Sequence, residues 1–107
     1  MQAEPQRFLL RVLLRKDEDW WVARGLEKDI AVQAESIKDV VYEFERVLIG
    51  HIVFDLQAGR APLATIPEAP RDVYELWERG LSTVPQEPSF RAPGQQLPEV
   101  GYEMRVV

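Results

Sequence analysis

The sequence predicts an α+β fold: an antiparallel three- to four-stranded sheet with one long helix packed on one face, in the order β-β-β-α-(α)-β. Three observations carry this. Apolar residues alternate from Arg7 to Arg15, and two further β-rich runs follow closely. The apolar period then changes to a helical one between Ser36 and Gln57. The connections between the first three runs are short enough to force antiparallel neighbours.

In the first run, Phe8, Leu10, Val12 and Leu14 point one way and form the core face. Arg7, Leu9, Arg11, Leu13 and Arg15 point the other way, as a basic strip interleaved with leucine. Arginine stems lying over apolar neighbours account for such a strip. A face that docks a partner or a phosphate backbone also accounts for it. Lys16-Asp17-Glu18-Asp19 reads as a charged turn, and Trp20–Leu26 as the second strand. Adjacent tryptophans project to opposite faces of a sheet. One of Trp20 and Trp21 is therefore core, and the other sits beside the arginines, where cation–π contact with Arg11 or Arg15 or a protein interface would explain it. Arg7, Leu9, Arg11, Leu13, Arg15, Trp20 and Trp21 are the candidate partner-binding residues. Glu27-Lys28-Asp29 reads as a second turn or bulge, and Ile30–Ala34 as a short third strand.

Ser36 is the expected helix N-cap, with Asp39 three residues on, and Gly59 the stop. Ile37, Val40, Val41, Phe44, Val47, Leu48 and Ile52 share one broad face, and Lys38, Asp39, Glu43, Glu45 and Arg46 lie off it. Near the helix end, Ile49, Val53 and Leu56 join Tyr42 on a second side. Either the C-terminal third of the chain or a second copy must cover them. Tyr42, Ile49, Val53 and Leu56 are thus the candidate oligomerisation residues, with a dimer the expected state.

Beyond Gly59 the composition turns Pro-rich. Residues 59–70 read as extended, and Arg71–Arg79 as a short helix between Pro70 and Gly80. Residues 81–98 read as a loop wrapping the body, with Phe90 and Leu97 available for packing. Tyr102–Val107 reads as a terminal strand. The division is a β-β-β-α core over 1–58 and an extension over 59–107 that completes the same domain.

At 107 residues the chain has room for one modest core. Its net charge of −5 argues against broad nucleic-acid binding. With no cysteine there is no disulfide, thiolate nucleophile or cysteine-held zinc. There is no apolar run of membrane-spanning length and no secretory pattern at the start, so a cytoplasmic location is expected. His51 and Asp55 are four apart and fall together on the core-facing side of the helix. A polar pair at the core rim is the ordinary reading; a metal site would need more ligands. Glu43 and Glu45 read as solvated carboxylates. Ser36 is committed to capping, Ser82 and Ser89 lack a nucleophile-elbow context, and there is no phosphate-cradling loop. Neither an enzyme nor a cofactor is expected.

The segment Trp20–Leu48 resembles the HicB-like antitoxin domain family. Trp20-Trp21 stands where that family has an aromatic pair opening the second strand. Gln33-Ala34-Glu35-Ser36 stands for its Gln-Gly-Asp-Thr type segment, and Ile37, Val40 and Val41 for its first apolar helix positions. The resemblance covers residues 7 to about 57. It departs where the family commonly has Pro-Gly-Cys and this chain has Lys28-Asp29-Ile30. It also departs after Gly59, where nothing reads as a DNA-binding unit. The resemblance implies a partial double-stranded-RNA-binding-domain fold acting by protein–protein contact. Its implied partners are a second copy and a HicA-type toxin, a small RNA-cleaving protein whose basic surface an acidic chain suits. RNA docking on the Arg/Trp sheet face is the alternative.

Overall fold

A computed structural model describes residues 7–80, 82–84 and 99–107. Its elements are β1 (Arg7–Asp17), β2 (Trp20–Gly25), β3 (Ala31–Ala34), α1 (Ile37–Gln57), α2 (Arg71–Glu78), β4 (Ser82–Val84) and β5 (Glu99–Val106). The α+β class holds, but the sheet is mixed and has five strands in the order β3-β2-β1-β5-β4. β1 pairs antiparallel with β2, and β2 with β3. β5 runs parallel to β1, from Arg7↔Glu99 to Leu14↔Val106. This corrects the purely antiparallel expectation. Short connections dictate direction only among the first three strands; the long path to β5 leaves its direction to packing. β4, antiparallel to β5, lies within the stretch read as loop. Residue 81 and residues 85–98, with Phe90 and Leu97, lie outside the described residues.

The sheet carries a helix on each face. On the α1 side, Leu10, Val12 and Leu14 of β1 and Val100 and Met104 of β5 pack with Phe44, Leu48 and Ile52 of α1. Ser36 caps α1 as expected, its hydroxyl accepting the Asp39 N–H at 3.0 Å. On the other side, Leu13 and Leu26 meet Ala69, Val73 and Trp77 in a second core. α2 therefore packs on the face opposite α1. The expectation that this helix belongs to the cover of Ile49, Val53 and Leu56 is not met.

The connector from α1 to α2 carries the chain from one face to the other. Gly59, at φ 74, turns it out of the helix. Leu63 then enters the main core and Ala69 the second. Two backbone bonds tie the passage to the turn after β2: Asp29 N–H to the Pro67 carbonyl and Ala69 N–H to the Leu26 carbonyl, both 2.8 Å. β2 ends at Gly25, where a side chain would run into the Lys28 carbonyl.

Candidate interaction surfaces

The face of β1 that carries the arginines is largely occupied. Leu13 is buried beneath α2. Arg11 donates from Nε to Glu27 Oε2 at 2.6 Å, and its backbone N–H donates to Oε1 at 2.7 Å. The same guanidinium lies 5.2 Å from the centre of the Tyr74 ring. Its hydrogen bond to Glu27 holds it protonated above the usual arginine range. Arg15 is exposed, Leu9 is 79% exposed, and Arg7 opens β1 opposite Glu99. Trp21 packs half-buried against the main core, while Trp20 is 43% exposed. The seven residues predicted to bind a partner are thus split among a helix-covered centre at Arg11 and Leu13, the strand start at Arg7 and exposed Leu9, the hairpin end at Arg15 and Trp20, and the opposite face, where Trp21 packs on the main core. The cation–π partner expected beside Trp20 occurs at Trp77 instead, under Arg105 at 4.5 Å.

Between α2 and the β1–β2 pair lies a cleft of about 330 Å³ with Leu13, Val22, Val73 and Leu76 on its walls and Arg15 and Arg24 among its polar groups. Arg24 is already engaged, donating to both carboxylate oxygens of Asp29 at 2.9 and 3.2 Å. That bond raises its pKa, and the guanidinium is a fixed charge.

α1 presents the other apolar surface. Tyr42 is 52% and Leu56 44% exposed, and Ile49 and Val53 are half-buried along the same flank. Phe54, absent from the predicted set, is 63% exposed, with Arg60 stacked 5.1 Å from its ring centre. Its signal was available in the sequence, as a large aromatic off the core-facing set of helix positions.

His51 and Asp55 do not meet the expectation of a shared core-facing position. His51 is exposed, whereas Asp55 is buried. Asp55 accepts the Leu63 N–H at 2.9 Å and the Arg60 Nε at 3.2 Å, so it organises the connector. Glu45, read as solvated, is buried on the side of α1 that faces Tyr102. Among the described residues no group of three or more His, Cys, Asp or Glu side chains is placed to hold a metal. No helix among them is long and apolar enough to cross a membrane. No family, curated protein or solved structure matches the chain.

Proposed function

We propose that the chain is a non-catalytic protein-interaction module that pairs with a second copy through the outer flank of α1. The observation that carries this is the apolar line on that helix, exposed at Tyr42 and Leu56 and half-buried at Ile49. Tyr42, Ile49 and Leu56 fall seven residues apart, the spacing of a helix–helix seam. A two-fold axis at Ile49 sets Tyr42 of one copy against Leu56 of the other, so the line is its own complement. Exposed side chains of this size on one helix are the common mark of an interface.

The HicB-like resemblance over residues 7 to about 57 extends the proposal to a second role, the sequestering of a small, basic, ribonuclease-like toxin. The net charge of −5 suits such a partner. Docking of RNA on the arginine face has less support, because Arg11 is paired with Glu27 and Leu13 lies under α2.

Sedimentation equilibrium tests the pairing. The expected result is a dimer at micromolar concentration, reduced to a monomer by Leu56→Asp with the circular dichroism spectrum unchanged. A chain that stays monomeric to millimolar concentration overturns it.

A further inference from the structure

β3 ends the sheet. Its register with β2 pairs Arg24 with Ala31, Ala23 with Val32, Val22 with Gln33 and Trp21 with Ala34. One step further, the Gly25 N–H donates to the Ile30 carbonyl at 2.9 Å. Hydrogen-bonded and non-hydrogen-bonded pairs alternate along an antiparallel ladder. Val32 and Ala34 are therefore the residues that bond to β2, and Ala31 and Gln33 send their N–H and C=O groups outward. Among the described residues no strand pairs with that side.

Sheet edges are usually guarded by charge, proline or a bulge. Ala31-Val32-Gln33-Ala34 contains no charge and no proline, and its register is unbroken. Both side chains that flank the outward groups, Ala31 and Gln33, are exposed. An added strand would meet two donors and two acceptors at alternate residues, the pattern that peptides use when they extend a sheet.

Charge selects the occupant. Ala34 pairs with Trp21, and Asp17 with Trp20, so the end of β3 lies beside the β1–β2 turn. Asp17, Glu18 and Asp19 are exposed in that turn, and Glu35 and Asp39 are exposed just after β3. Arg15, Lys16 and Lys38 are the nearby exposed cations, outnumbered by these five carboxylates. This end is acidic, as is the whole chain at −5, and a second copy would bring the same sign.

We propose that the outer edge of β3 takes an extended, basic segment of a partner protein as a further strand. This rests on the interaction-module reading but uses a surface separate from the α1 flank.

The test is a titration of isotope-labelled chain with a peptide of about eight alternating valines and lysines, the length of a typical strand, with a valine–glutamate peptide as control. The lysine peptide is expected to shift the amides of Ala31 and Gln33, and the glutamate peptide to leave them in place. Gln33→Pro removes an outward N–H that β2 does not use and should weaken the peptide by about tenfold, the scale of one lost hydrogen bond. Should that variant not fold, the double change Asp19→Lys, Glu35→Lys is expected to give a similar loss. Equal shifts with both peptides, or no shift at β3, overturn the proposal. So does a Gln33→Pro variant that turns a dimer into a monomer, which would assign the edge to a second copy. Peptide binding that survives in Leu56→Asp leaves this inference standing even where α1 pairing fails, and the converse result removes this inference alone.

Discussion

Leu63 sits at φ 62 and is fully buried, a combination that a residue other than glycine adopts at a cost of roughly 1–3 kcal/mol. Its backbone is held from both sides. The Asp55 carboxylate accepts its N–H at 2.9 Å, and Lys28 Nζ donates to its carbonyl at 2.8 Å. Asp55→Ala would leave a buried N–H unmet, and should destabilise the chain by about 2 kcal/mol in urea denaturation. Asp55→Asn, which keeps an acceptor, should cost less. Tyr102 offers a second check on the core. Burial, and then the nearby charge of Glu45, push its hydroxyl well above the usual tyrosine range. The unfolded chain releases that proton near the ordinary value of about 10, while the folded chain keeps it. The folded state therefore holds more protons there, and stability should fall as pH rises past about 10. Tyr102→Phe should flatten that fall, measured as the urea midpoint against pH. Burial also raises Tyr74, so part of the slope should remain.

α2 is an eight-residue helix, too short to persist alone, and it is held by what it touches. Val73 and Trp77 cover Leu13 and Leu26. Arg105 stacks on the Trp77 ring and donates to the Trp77 carbonyl at 3.2 Å. Trp77→Ala should cost roughly 3–5 kcal/mol, the usual range for an emptied aromatic site. It should also open α2 first, seen as hydrogen exchange faster over Arg71–Glu78 than over α1. The face on which α2 would lie was not legible in the sequence. Periodicity says that Val73, Leu76 and Trp77 share a side, but not which layer that side meets. α1 and the first three strands were legible because period, cap and short turns agree there: Ser36 caps, and Phe44 and Leu48 are fully buried. β5 was recognised as a strand over Tyr102–Val107, yet its start at Glu99 and its parallel direction depend on contacts distant in sequence. The same limit applies at the surface. A helical wheel puts His51 with Asp55 and leaves Glu45 in water, whereas Glu45 is buried, Asp55 is buried against the connector at Arg60 and Leu63, and His51 is exposed.

At the scale of the whole molecule, the two proposed associations differ in how charge enters. Pairing through α1 joins two copies of a chain at −5 each, so long-range repulsion opposes an apolar seam. Raising the salt concentration shortens the screening length from about 10 Å at 0.1 M toward about 3 Å at 1 M. Self-association should therefore tighten with salt. A basic strand at the β3 edge is drawn by the exposed carboxylates of Asp17, Glu18, Asp19, Glu35 and Asp39, and those attractions weaken under the same screening. Its affinity should fall over the same range. Analytical ultracentrifugation of the chain alone, beside a peptide titration across one salt series, reads both slopes on the same sample. Opposite slopes are the expected outcome. Two falling slopes would mean that the self-contact is itself electrostatic, and would move it away from the Tyr42–Ile49–Leu56 line. Two rising slopes would mean that the β3 edge is chosen by apolar contact, and that the acidic turn beside it has no part in selecting the partner.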